Sequence, residues 1–414
     1  MKSDTFCSKL DLENFVFSGN GPSGIILSYL LNGNLPYYNG SATSPSLIEQ
    51  DLEFLSQVFS LNLIFLFIFQ FKSKYPSVVK FEHSPDSSVD HVVIGKGAPG
   101  GIWQDMKKNL LTISLSSWMD LPGLTFQEWS SKNLNMKEPV KRVKAGKVAQ
   151  YFSDYVKKMK LCKYFRNHCT VTSVKRLKCS ESFCLICIIS NYFLFQCGQM
   201  VVSDEGLWLV SGFSNATHEP FRYITPRVVL ATGTADVPNK LNVPGEPLYS
   251  WIKHDLASFE FDLNRKSKGS TVDPVLVVGS GLSAADAILL LRRLNAPIIH
   301  VFNQSSTSVL KSLSKSIYPD YQQVSYLLIL FFTVSTCSVF LIKISSAVIL
   351  IGSRPNLSFL PDFFQEGKLR VVNAPPALYA LGPLAGDNFV RFLLGGAVAV
   401  LCHIHDESKR QAVR

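Results

Sequence analysis

The chain has 414 residues, of which 47% are hydrophobic, 17% charged and 12% aromatic, a composition that excludes disorder and fibrous structure. Its length suits two domains or one large α/β unit, and burial alone can stabilise a core of that size. The 41 Lys and Arg outnumber 31 Asp and Glu for a net charge of +10, yet no zinc-finger, basic-zipper or RNA-recognition signature accompanies the excess, so no nucleic-acid partner is expected.

In chain order, a short apolar run from Asn14 to Ser18 meets Gly19-Asn20-Gly21-Pro22-Ser23-Gly24, and Ile25 to Leu31 continue as an apolar helix ending near Asn32-Gly33. This is predicted as strand, tight turn and helix. A second strand is predicted at Asp90-His91-Val92-Val93-Ile94, running into Gly95-Lys96-Gly97-Ala98-Pro99-Gly100-Gly101. Between Gly146 and Lys160, Val148, Tyr151, Phe152, Tyr155, Val156 and Met159 recur at helical spacing, which makes an amphipathic helix whose basic residues form a solvated face. Strands follow around Val171 and Val174, at Leu207 to Val210, and at Arg227 to Ala231, the last entering Thr232-Gly233-Thr234. Pro274 to Val278 then enters Gly279-Ser280-Gly281-Leu282-Ser283-Ala284 and a helix from Ala285 to Leu294, repeating the opening grammar. A last strand at Leu378-Tyr379-Ala380 leads to Gly386-Asp387 and an apolar helix from Phe389 to Leu401.

Three segments are unusually apolar: 61–71, 184–197 and 326–351. About 20 apolar residues cross a bilayer, so 326–351, with Lys343 its only charge, has the length for a span. Its polar positions, and a tail at Ala347 to Ser353 that reads as one core strand ending in a turn, favour a non-membrane assignment. Cys184 and Cys187 lack a second pair or a nearby His and read as an incidental pair, not a metal site; no metal is expected. The nine cysteines are irregularly spaced, and Met1 to Leu12 has no apolar leader, which points to reduced thiols and a cytoplasmic or nuclear location.

The glycines point to phosphate chemistry. Free N–H groups and the positive dipole end at a helix N-terminus stabilise a pyrophosphate, provided that no side chain blocks its approach. In Gly19-x-Gly21-x-x-Gly24 the first glycine permits the turn, the second admits the pyrophosphate and the third lets helix and strand pack; Pro22 and Ser23 complete the loop. Gly279-x-Gly281-x-x-Ala284, with Ser283 inside it, repeats the pattern with a small residue in the third place. Two such loops in one chain imply two dinucleotide sites on an α/β fold.

Together with Gly100-Gly101-Ile102-Trp103, Ala231-Thr232-Gly233 and Gly386-Asp387, these loops resemble the two-dinucleotide-binding flavoproteins, especially flavin-containing monooxygenases. More narrowly, Gly19 to Leu31, Gly281 to Ala287 and Gly382 to Phe392 resemble the oxidative stress-induced growth inhibitor family. The resemblance implies two Rossmann-like domains: an FAD-binding one over 1–260 and 361–414, and an NAD(P)-binding one over 270–360 inserted in it and interrupted at 326–351. It implies FAD on Gly19, Gly21, Pro22, Ser23 and Gly24, with Gly101, Trp103, Thr232, Gly233, Gly386 and Asp387 beside it. NADPH, or NADH, would sit on Gly279, Gly281, Ser283 and Ala284. Tyr249 to His254 partly matches a monooxygenase fingerprint, with Ser250 in its glycine position, so His254 is either a catalytic candidate or a structural residue.

Two departures accompany the resemblance. Where such folds carry Asp or Glu after the second strand, this chain has Gly95-Lys96, and where an Arg would meet an extra phosphate it has Asn303-Gln304, with Lys311 and Lys315 further on. Two functional readings therefore stand: an FAD-dependent, NAD(P)H-using monooxygenase linked to growth, cell death or cell division, or a regulatory protein that keeps the flavoprotein scaffold without turnover. A membrane-attached oxidoreductase rests on 326–351 alone.

Overall fold

The computed structural model describes residues 10–38, 79–134, 141–177, 206–266, 273–302, 341–361 and 377–413. In chain order, the strands of the two wholly parallel sheets are β1 (Phe15–Ser18), β2 (Val92–Gly95), β3 (Phe165–Asn167), β4 (Arg227–Leu230), β5 (Ile252–Lys253), β6 (Val275–Val278), β7 (Ile298–Val301), β8 (Ser346–Ile349) and β9 (Leu378–Ala380). The helices that matter most are α1 (Pro22–Leu31), α2 (Phe126–Leu134), α3 (Ala145–Lys158), α4 (Leu282–Arg293) and α5 (Leu393–Val413).

The chain divides into two compact units, 1–233 with 357–414, and 234–356, the second inserted in the first along the sequence. In the first unit β9, β4, β1, β2 and β3 lie side by side in that order, every pairing parallel. Parallel strands need crossovers that cover both faces, so their residues are apolar almost without interruption. The two-residue period then sorts them. Phe15, Phe17, Val93 and Val229 face one core; Val16, Val92, Ile94, Val228 and Leu230 face the other.

Helices fill the first core. α1 is apolar all round and is buried from Ser23 to Leu31, as suits a helix wedged between layers. α3 buries Val148, Tyr151, Phe152, Tyr155 and Val156, and its last turn carries Lys157 and Lys158, where cations favour the helix dipole. α2 is opened by a reciprocal capping box: the Thr125 backbone N–H donates to Glu128 Oε2 at 2.8 Å, and the Glu128 N–H donates to Thr125 Oγ1 at 3.1 Å. On the opposite face an antiparallel sheet of Cys169–Arg176, Trp208–Ser214 and Pro220–Thr225 contributes Val174, Trp208, Val210 and Tyr223.

Near the C-terminus the predicted helix from Phe389 starts instead with a tight turn at Val390–Phe392 and becomes α-helical at Leu393. The Arg391 guanidinium lies 3.6 Å over the Trp118 ring and 4.5 Å from Phe392, and this stacking holds the turn. No Gly or Pro interrupts the chain beyond Leu401, and the helix runs on to Val413.

In the second unit β5, β8, β6 and β7 form another wholly parallel sheet. Residues 234–260, β5 among them, belong here, although the sequence reading groups them with the first domain. The apolar tail at 347–353 is β8 followed by Gly352 at φ +89, and Lys343 pairs with Asp273 at 3.0 Å. Among the described residues no helix is long and apolar enough to cross a membrane. Residues 61–71, 184–197 with Cys184 and Cys187, and 303–340 with Asn303, Gln304, Lys311 and Lys315 lie outside the described residues.

Candidate functional site

Three residues join β1 to α1. Gly19 sits at φ +122, and a Cβ on it would overlap the Ala231 carbonyl, so both conformation and space demand glycine. A Cβ on Gly24 would overlap the Gly19 carbonyl; its absence brings helix and strand together. Gly21 is different. Its φ of −71° suits any residue, and a Cβ there would meet only the Gly101 Cα, at 4.0 Å. The space over Gly21 is open, at the N-terminus of a helix whose first residue, Pro22, has no N–H to leave unpaired.

Distant segments converge on this loop. A Cβ on Gly101 would come within 3.0 Å of the Gly21 Cα, and one on Gly382, at φ +68, would overlap Ser23 Oγ. The Ala231-Thr232 peptide lies against Gly19, and Thr232 Oγ1 is buried with no hydrogen-bond partner among the described residues. Side-chain space at Gly233 and at Gly386 is empty to 4 Å. The Asp387 N–H donates to the Gly382 carbonyl at 3.0 Å, and burial pushes its carboxyl above the usual carboxylate range. Trp103 leans on the first core, edge-on to Phe152 with ring centroids 6.1 Å apart.

Two buried polar groups brace the site, and neither was singled out from sequence. Asn20 donates from Nδ2 to the Gly97 carbonyl at 2.8 Å and to Asn167 Oδ1 at 2.9 Å. A Cβ on Gly95 would fall on its amide, which is the physical reason for a glycine where the resemblance led to an acid. Behind α1, His91 Nδ1 meets the Val89 carbonyl at 2.7 Å and must donate to it, so Nε2 accepts from the Ser28 hydroxyl at 2.7 Å. Stacked on Tyr164 at 3.9 Å, the ring is neutral, its pKa pushed down to about 4 by burial.

The second loop repeats this division of labour. Gly279, at φ +125, has no room for a Cβ because of the Leu350 carbonyl, whereas Gly281, at φ −77, would place one in space empty to 4 Å. Ala284 is buried under the helix and Ser283 is exposed. His300 Nε2 donates to the Gly279 carbonyl at 2.7 Å, and burial lowers the pKa of its ring.

His254 also lies in this unit. Its Nε2 lies 2.8 Å from Glu246 Oε1, and the same carboxylate accepts backbone N–H bonds from Leu241 at 3.0 Å and Val243 at 3.3 Å. Burial works to raise the Glu246 pKa, but the bonds from His254 and the backbone outweigh it and hold the group below its ordinary value. The pairing holds the His254 ring against a carboxylate. Among the described residues no group of His, Cys, Asp and Glu is arranged to hold a metal.

No family model matches the chain. It is 35% identical to human "Oxidative stress-induced growth inhibitor 2" over 93% of this chain and 92% of that protein. It is also 33% identical to mouse "Oxidative stress-induced growth inhibitor 1" over 96% of each. Among solved structures, the bacillithiol disulfide reductase Bdr of Bacillus cereus superposes with a TM-score of 0.56 at 16% identity, covering 94% of this chain and 98% of that one. The cadaverine monooxygenase DfoA of Erwinia amylovora, solved bound to FAD, gives 0.51 at 11% identity over 93% and 92%. At such identities the likeness shows the fold alone: α/β, with two Rossmann-like dinucleotide-binding units.

Proposed function

Because the chain belongs to the oxidative stress-induced growth inhibitor family, we propose that it is an FAD-dependent, NAD(P)H-using monooxygenase-like flavoprotein acting in the control of growth, cell death or cell division. The observation that carries this reading is that each glycine loop has a second glycine, Gly21 or Gly281, whose side-chain space is open at a helix N-terminus. Such a space is what an approaching pyrophosphate requires.

In the first unit Gly19, Gly21 and Gly24 would shape the FAD pyrophosphate site. Thr232 Oγ1, buried and without a partner among the described residues, is a group that a bound ligand would satisfy. Asp387, with its raised pKa, would meet the ribityl hydroxyls, and Gly101 and Trp103 would border the flavin. In the second unit Gly279, Gly281 and Ala284 would receive the nicotinamide nucleotide, with His300 steadying the Gly279 carbonyl. A flavin bound in this fold supplies two-electron redox chemistry between reduced nicotinamide and dioxygen or a substrate.

Absorbance of the purified protein tests the reading. A yellow chromophore, and FAD in the acid extract, are expected; a colourless protein that takes up no added flavin would refute it. A second reading, a scaffold without turnover, draws on β2 ending in Gly95 with no carboxylate. NADPH consumption with dioxygen at an enzyme-like rate by the FAD-loaded protein rejects that alternative.

A further inference from the structure

In nucleotide-binding folds of this kind the strand beside the glycine loop ends in Asp or Glu, whose carboxylate accepts a hydrogen bond from the adenosine ribose. Here that strand, β2, ends at Gly95 and is followed by Lys96. Geometry adds to the sequence here, because with Asn20 where it is a Cβ at 95 would fall on its amide. Asn20 belongs to the glycine loop itself and is 3% exposed. Its orientation is settled by chemistry: the atom facing the Gly97 carbonyl at 2.8 Å has to be a donor, hence Nδ2. The other Nδ2 proton goes to Asn167 Oδ1, at the end of β3. Both protons therefore tie the loop to the ends of two neighbouring strands, while no donor among the described residues reaches Asn20 Oδ1. An amide oxygen that takes no hydrogen bond from the protein can accept one from a ligand hydroxyl.

We propose that Asn20 is the ribose-binding residue of the first nucleotide site, its Oδ1 accepting from an adenosine ribose hydroxyl in place of the absent carboxylate. The inference rests on the reading of this loop as the FAD site. A neutral amide thus does the work of an acid, and the space that the acid would need is the space the amide fills.

The full-length chain, stripped of flavin, is titrated with FAD and with FAD analogues lacking the 2′- or the 3′-hydroxyl of the adenosine ribose, followed by flavin fluorescence. Wild type is expected to bind one deoxy analogue about tenfold more weakly than FAD, the loss of one buried hydrogen bond. Asn20→Ala is expected to bind FAD about tenfold more weakly and to treat FAD and that analogue alike. Gly95→Glu alone is expected to weaken binding, because its side chain meets Asn20, whereas Asn20→Gly with Gly95→Glu recovers the discrimination by moving the acceptor to the strand. Equal discrimination by wild type and Asn20→Ala overturns the proposal. So does wild type binding both analogues as tightly as FAD, a result that needs no variant to fold. Failure of wild type to bind FAD at all refutes the flavin reading itself, and the inference falls with it.

Discussion

Alanine at each of the four leading glycines separates positions that the fold needs from positions that a ligand needs. At Gly19 and Gly279 the backbone sits at φ +122 and +125, and the added methyl runs into the carbonyls of Ala231 and Leu350. Forcing an L-residue into that region costs about 1–2 kcal/mol, and overlap with rigid backbone adds about 1–3 kcal/mol, so each change is expected to lower stability by about 3 kcal/mol. At Gly21 and Gly281, φ is −71° and −77° and the methyl enters open space. There the loss of glycine at a helix N-cap, about 0.5–1 kcal/mol, is offset by about 0.4–1 kcal/mol from a less flexible unfolded chain, and stability is expected to stay near wild type. Nucleotide affinity moves differently: the same methyl stands where a pyrophosphate approaches, and at least a tenfold loss is expected, of FAD for Gly21→Ala and of NADPH for Gly281→Ala. Urea unfolding of the ligand-free variants measures the first quantity and fluorescence titration the second. If Gly21→Ala destabilised the chain as much as Gly19→Ala, or Gly281→Ala bound NADPH as wild type does, the assignment of these open faces to phosphate would be wrong.

Two buried titrations oppose each other in the first unit. His91, held near pKa 4 by burial against an ordinary 6.5, stays neutral in the fold while the unfolded chain takes up a proton, so its contribution is complete above pH 6.5 and about 3 kcal/mol is lost as pH falls to 4. Asp120, raised to about 7 by burial, has the reverse sign: its contribution is present below pH 4 and is lost as pH rises through 7. Asp120→Asn is therefore expected to expose a stability that falls on acidification from 6.5 to 4, and His91→Gln one that falls on alkalinisation from 4 to 7; flat profiles in denaturant titrations would contradict both. Thr125→Ala removes the hydroxyl of the α2 capping box and is expected to cost about 1 kcal/mol, with a midpoint unchanged from wild type as the contrary result. Glu246, with a lowered pKa, contributes above the ordinary carboxylate value near 4.3 and less as pH falls below it. Glu246→Gln is accordingly expected to be less stable than wild type at pH 7, with the gap narrowing as pH falls below the ordinary carboxylate range, and a pH-independent gap would show that the His254 pairing is not electrostatic.

Local chemistry made much of this fold legible before any coordinates. A strand, a glycine turn and a helix are specified by neighbouring residues, which is why Phe15 to Leu31 and Val275 to Arg293 fold as their patterns predict, and why the stripe on α3 is the buried one. The C-terminal helix start was misplaced because Arg391 is held by Trp118, more than 270 positions earlier, and no periodicity encodes such a contact.

By itself the sequence determined that two glycine loops stand at helix mouths and that apolar strands bury both faces of a sheet, since turn conformation and two-residue alternation are properties of adjacent residues. Only the tertiary structure decided which glycines are demanded by a carbonyl across the loop and which face open space. It also decided that the Asn20 amide fills the space beside Gly95 and that His254 pairs with Glu246. These outcomes depend on atoms brought together by chain closure, such as Asn20 with Asn167, 147 positions apart, where steric exclusion and hydrogen-bond satisfaction act on distance in space and leave no mark on spacing along the chain.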